Sequence, residues 1–156
     1  MDVYYHTIYP VKPVFHWPTF YAQVQQQLYR SDWGVFVVTM AVCALTAGRL
    51  YCGVPLPKHL QLSDVRARAA ALSAQCYTAA VEAMPRGIAG ASDYYQAMRA
   101  SFLLASVCLQ DGQMSSAISH SSDYTALSTM HGFHSEAKWP AHLSEIEKQE
   151  RRRLVS

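Results

Sequence analysis

The sequence predicts an all-α fold, an irregular bundle of about six to seven helices, on three observations. Apolar residues recur at three- and four-residue spacings along most of the chain, strand-type alternation is nearly absent, and Pro, Gly and Asp-Gly breaks separate the periodic stretches. The chain has 156 residues, of which 51% are hydrophobic and 15% charged, enough for one core and too apolar for wholesale disorder. Residues 1–156 are read as one domain.

An aromatic leading segment (Tyr4, Tyr5, Tyr9, Phe15, Trp17) precedes "PTFYAQVQQQLY", a helix with Thr19 as its cap and Phe20, Val24 and Leu28 on one face. "SDWGVFVVTMAVCALTAGRL" follows, with Asp32 as cap. It is apolar nearly all round, as a central packed helix is, although its valine-rich front half also fits a strand. Its most apolar stretch, residues 35–47, is shorter than the roughly twenty residues a bilayer span needs. A buried helix in a soluble protein without membrane contact is expected.

"YCGVPLPKHLQL" is a loop by its prolines and glycine. The next segment places Val65, Ala69, Leu72, Cys76, Ala79 and Ala83 on one helical stripe, with Ser63 as cap and "PRG" as the stop. "SDYYQAMRASFLLASVCLQDG" repeats the design with Tyr95, Met98, Phe102, Ala105 and Leu109 aligned. After the Asp-Gly turn, Ala117, Tyr124, Leu127 and Met130 make a weaker stripe. These last two segments suggest a tetratricopeptide-like helical hairpin, without the second copy at a fixed period that a repeat array requires. A final helix begins near Ser144.

That helix carries "EKQERRR". Glu147 and Arg151 are four apart and Glu150 and Arg153 three apart, each pair worth about 0.2–0.5 kcal/mol with the acid on the N-terminal side. Basic residues also suit a helix C-terminus. Arg151, Arg152 and Arg153 are therefore expected to be solvated or paired within the domain. A net charge of +2 adds little attraction for phosphate, so no direct nucleic-acid binding is expected.

Cys43, Cys52, Cys76 and Cys108 lack zinc-ligand spacing and read as reduced thiols, Cys76 and Cys108 on apolar helix faces. His131 and His134 flank Gly132, which ends the helix between them and argues against a metal site. Ser119, His120, Ser121 and Asp123 sit at near-consecutive helical positions and point apart, so they read as a polar face. No nucleophile elbow or phosphate loop occurs in the sequence. No catalytic residue, metal ligand or cofactor is assigned. Tyr4, Tyr5, Trp17, Phe20, Tyr21 and Trp33 are either ordinary core or the lining of a hydrophobic pocket.

Taken in order, "DVYYHTIYPVKPVFHWPTF", "VTMAVCALTAGRL", a hairpin ending "MHGFH", and "EIEKQERRRL" resemble the fungal-specific transcription factor domain, the middle homology region of fungal zinc-cluster regulators. The matching features run from Tyr9 to Phe20, Met40 to Arg49, Gly132 to His134 and Glu145 to Leu154, with Glu147, Glu150, Arg151, Arg152 and Arg153 as the motif residues. The resemblance implies an all-helical regulatory domain that is not generally an enzyme. It departs from the family in two ways: no six-cysteine cluster precedes the match, and the aromatic pair usual after the triple arginine is replaced by Val155 and Ser156. The chain is accordingly read as the first part of such a domain.

What the resemblance implies about function is a regulator of a fungal metabolic gene cluster, secondary metabolism included, acting through a protein partner or as a homo-oligomer. A nuclear location is expected, with a cytoplasmic one as alternative, and a hydrophobic small molecule as a conceivable effector. A second reading is a repurposed helical domain, a small-molecule binder or cofactor-independent isomerase or cyclase, with His6, His16, Tyr4, Asp32 and Arg49 around the pocket. A third is a purely structural interaction module with an exposed apolar groove.

Overall fold

A computed structural model describes residues 1–56, 65–85 and 93–155, and among them every regular element is helical. The α-helices are α1 (Asp2–Thr7), α2 (Trp17–Gln25), α3 (Trp33–Tyr51), α4 (Val65–Ala83), α5 (Tyr94–Gln110), α6 (Met114–Met130) and α7 (Glu145–Val155), with 3-10 turns at Leu28–Arg30 and Glu136–Lys138. The all-α expectation and the helix number hold.

The valine-rich front of α3 is helical, because its register buries Val35, Val37, Val38, Ala41, Val42 and Leu45 against neighbours on several sides. Length and composition alone would let this 19-residue helix cross a bilayer. With 67% of its most apolar window covered by the bundle, it serves as the core helix of this fold. Asp32 caps it, its Oδ1 accepting the Val35 N–H at 2.8 Å. Asp32→Ala should therefore lower stability by about 0.5–2 kcal/mol and Asp32→Ser by much less, read from urea unfolding. Equal losses would mean that the side chain does something other than cap.

Helix α2 begins earlier than the Thr19 cap implies. Trp17 and Pro18 form its first turn, where a missing N–H costs nothing, and Thr19 Oγ1 instead meets His16 Nδ1 at 2.8 Å.

Helices α3 and α5 run parallel and close: a Cβ on Gly34 would lie 2.7 Å from Gln96 Cγ, and one on Gly48 would overlap the Gln110 side-chain amide. Helix α4 lies antiparallel on α3, fixed by Trp33 Nε1–H to the Ala83 carbonyl (2.5 Å) and Ser73 Oγ–H to the Ala44 carbonyl (2.8 Å). The buried stripe of α4 keeps the expected Ala69 but puts Ser73 and Ala80 inward where Leu72 and Ala79 were expected. Ala69, Ser73 and Ala80 are its buried positions, while Leu72 is 45% exposed. The reason is the Ser73 hydrogen bond, a polar group that apolar periodicity does not count. The Ser63 cap and residues 86 and 87 of the stop lie outside the described residues.

Helix α5 is covered nearly all round, with Ala97, Met98, Ala100, Leu103, Leu104 and Val107 in the core. It pairs with α6 as a hairpin. Each helix ends on a left-handed glycine, Gly112 (φ 71°) and Gly132 (φ 63°). The following N–H reaches back to a third-from-last carbonyl, Gln113 to Cys108 at 2.8 Å and Phe133 to Ser128 at 2.9 Å. Leu109 and Met130, expected inside, are 54% and 62% exposed.

Candidate functional site

Two features stand out once the core is set aside: a clasp that seats α7, and an uncharged groove on α6. The clasp starts at Ser144. Its Oγ takes the Glu147 N–H (3.3 Å), while Glu147 Oε2 accepts the Ser144 N–H (2.8 Å) and hydroxyl (2.7 Å). This reciprocal cap holds the Glu147 carboxyl below its ordinary range.

Glu150 turns inward. Its Oε2 lies 2.5 Å from Arg99 Nη2, both side chains being under 10% exposed, and its Oε1 accepts the backbone N–H of His16. One carboxylate thus ties α7 to α5 and to the start of α2. Arg151 lies over three rings, its guanidinium carbon 4.6 Å from Phe133, 4.9 Å from Tyr95 and 5.9 Å from Trp139. Arg99 faces the same Tyr95 ring at 4.0 Å and donates to its hydroxyl at 2.9 Å. Burial pushes the Tyr95 phenol up to about 12.

Arg152 grips Glu136 through Nε (2.7 Å) and Nη2 (2.9 Å), and Glu145 through Nη1 (2.9 Å). Its hydrogen bonds pull both carboxyls below their ordinary range, though all three groups face solvent and the ion pairs stabilise little. The exposed Arg153 lines a cleft of about 190 Å3 with His16, Glu145, Ile146, Gln149 and Glu150. Arg152 is held by two acids, whereas Arg151, expected to pair with Glu147, lies on rings instead. The pairing of Glu150 was missed. Its signal was Arg99, the one Asp, Glu, Lys or Arg in α5, a helix otherwise too apolar to leave a charge without a counterion.

The groove runs along α6. Met114 (58% exposed), Ile118 (61%) and Met130 (62%) lie among the exposed Ser121, Ser122, Thr125 and Thr129, with Leu109 of α5 also in the lining. It spans about 650 Å3 of open space, and no Asp, Glu, Lys or Arg lines it. Helix α6 itself carries one such residue, Asp123, and the turn before it carries Asp111. Isolated exposed apolar residues are ordinary, but four gathered along one open channel form a patch.

The aromatic leading segment forms core in part, with Tyr5 42% exposed at its edge. Tyr4, Phe15 and Phe20 are buried and stacked, with Phe15 and Phe20 ring centres 4.3 Å apart, and Trp17 packs against Tyr4, Tyr5 and Tyr9. The five residues considered for a pocket are dispersed. Asp32 and Arg49 sit at opposite ends of α3, about 25 Å apart by helical rise, too far to line one small-molecule pocket together. Tyr4 is buried, its hydroxyl donating to the Lys12 carbonyl at 3.4 Å, and burial drives its phenol well above the ordinary value. His6 is exposed beside the Asp2 carbonyl (2.8 Å), and His16 opens α2.

His131 stacks on Tyr94 with centres 3.6 Å apart, whereas His134 is exposed beyond the Gly132 turn. Among the described residues, no three His, Cys, Asp or Glu side chains gather as metal ligands would. Of the serine–histidine run on α6, Ser119 and Ser121 face solvent while His120 turns inward to the Tyr77 hydroxyl, 3.0 Å away. Its partner comes from α4, out of reach of any local reading. No family model, curated protein or solved structure matches the chain.

Proposed function

We propose that this chain is a regulatory helical domain of the fungal transcription-factor type. In this reading it acts by docking one amphipathic helix of a protein partner in the α6 groove. The observation that carries the proposal is the groove: an open, uncharged surface where two methionines, an isoleucine and a leucine stand exposed among small hydroxyl side chains and alanines. Methionine side chains adapt to an incoming apolar stripe, and the small Ala, Ser and Thr side chains between them let a helix backbone approach closely. The charged residues of α6 and of the turn before it, Asp123 and Asp111, are both acidic, and neither lines the groove. The fitting partner therefore carries its apolar stripe between lysines or arginines.

The α5–α6 hairpin then serves as a single tetratricopeptide-like unit, its second helix offered to the partner. Gene control by such a domain, in the nucleus and in a metabolic cluster, follows the motif resemblance at Glu147, Glu150, Arg151, Arg152 and Arg153. A pocket enzyme is less well supported, because the rings that would line its pocket are packed on one another.

The test uses two synthetic helical peptides with the same leucine stripe, one flanked by lysine and the other by glutamate, read by fluorescence anisotropy. The lysine peptide should bind about tenfold tighter or more, and Ile118→Asp should abolish binding without lowering the unfolding midpoint. Equal binding of the two peptides, or binding indifferent to Ile118→Asp, sinks the docking reading. So does a sedimentation measurement showing a dimer that Ile118→Asp dissolves, since a second copy would then occupy the face. Fusing the chain to an unrelated DNA-binding module and measuring a reporter in a filamentous fungus tests the regulatory part: output should change and should depend on Ile118.

A further inference from the structure

Three side chains that the docking surface does not use meet where α4, α5 and α6 converge. Cys108 Sγ–H donates to Tyr77 Oη at 3.3 Å, and Tyr77 Oη lies 3.0 Å from His120 Nε2. The Tyr77 hydroxyl has one proton to give. Accepting from the thiol, it donates to Nε2, which places the imidazole proton on Nδ1. The chain of donors therefore runs one way, from thiol through phenol to imidazole.

A cleft of about 210 Å3 opens on this chain, with Cys108, Tyr77, Thr78, Asp111 and Gln113 among its walls. It is large enough for a molecule of a few heavy atoms. The α6 N-terminus begins beside it at Met114, and its Gln113 cap makes no side-chain hydrogen bond.

We propose that Cys108, Tyr77 and His120 form a thiol-addition site for small α,β-unsaturated carbonyl compounds. The thiol sulfur bonds to the β-carbon, and the electron pair of the carbon–carbon double bond moves to the α-carbon. The thiol proton passes to Tyr77 as the Tyr77 proton passes to His120. The same relay then returns a proton to the α-carbon, leaving a saturated thioether and unchanged phenol and imidazole. No oxidant or further reactant is consumed.

Two surroundings favour these roles. Burial lowers the His120 imidazole from its ordinary value despite Asp123 nearby, so at pH 7 it is a neutral acceptor. Burial and the Cys108 contact raise the Tyr77 phenol to about 12, so Tyr77 hands protons on without ionising. The other core thiols lack this provision. Burial pushes Cys43 up to about 11 and raises Cys76 as well.

The probe is acrylamide at pH 7 on the whole folded chain, with each cysteine followed by peptide mass mapping. Cys108 should form its adduct about tenfold faster or more than Cys43 and Cys76. Tyr77→Phe and His120→Gln should each slow it about tenfold or more and leave the exposed Cys52 unchanged. Free imidazole should restore the rate in His120→Gly but not in Tyr77→Phe, a rescue that a packing role would not give. Cys108 reacting no faster than Cys43, or keeping its rate in both variants, overturns the proposal. A variant that unfolds shows itself by faster Cys43 and Cys76, and the wild-type ranking then decides. Either result leaves the α6 groove untouched, because none of the three side chains lines it.

Discussion

Glu150→Ala is expected to destabilise the protein by about 3–5 kcal/mol, a large part of the stability of a domain this size. The mutation removes the carboxylate 2.5 Å from Arg99, a guanidinium only 7% exposed, and leaves that charge buried. It also removes the acceptor of the His16 N–H, a second unpaired polar group. Arg99→Met in the same background should recover most of the loss, since an apolar pair in that space costs little and the penalty of the single change lies in the charge left behind. Urea unfolding of wild type, single and double variants measures this directly. A loss below about 1 kcal/mol for Glu150→Ala would mean that water reaches Arg99 and that α7 is held by its ring contacts instead.

The same pair shows why the fold was more legible than the site. Helix boundaries depend on local chemistry, and Asp32, Ser144 and the two hairpin glycines mark them in the sequence. So does the all-round apolarity of α3. What the sequence hides is which face of a helix turns inward when a polar side chain has a remote partner. Ser73 faces inward on α4 and Leu72 outward, because the Ser73 hydroxyl finds the Ala44 carbonyl of α3. Glu150 pairs with an arginine 51 positions upstream in the chain, Arg99. His120 belongs to Tyr77 and Cys108, residues that no spacing rule connects. The groove was legible in part. Leu109 and Met130 were placed on buried stripes by period alone, yet nothing among the described residues covers them.

Phe15→Ala should cost about 3–5 kcal/mol, and this prediction separates a packed aromatic core from a ligand pocket. The Phe15 ring is fully buried, 4.3 Å from the Phe20 ring centre and 5.6 Å from that of Tyr4. Truncating it forfeits the transfer free energy of the ring and leaves a cavity that the stacked neighbours only partly fill. If these rings instead bordered an open binding pocket, the ring would already touch water and its loss would cost about 1 kcal/mol or less. A dry apolar cavity also takes up small aromatic molecules, so benzene should raise the thermal midpoint of Phe15→Ala and leave that of wild type unchanged. Wild type responding equally would restore the pocket reading. The variant should further couple to Glu150→Ala. Phe15 precedes His16, whose N–H the Glu150 carboxylate holds, so loosening the ring loosens the clasp. The two losses should therefore sum to more than the double variant shows, by about 0.5–3 kcal/mol. Simple additivity would mean that the leading segment and α7 are seated independently.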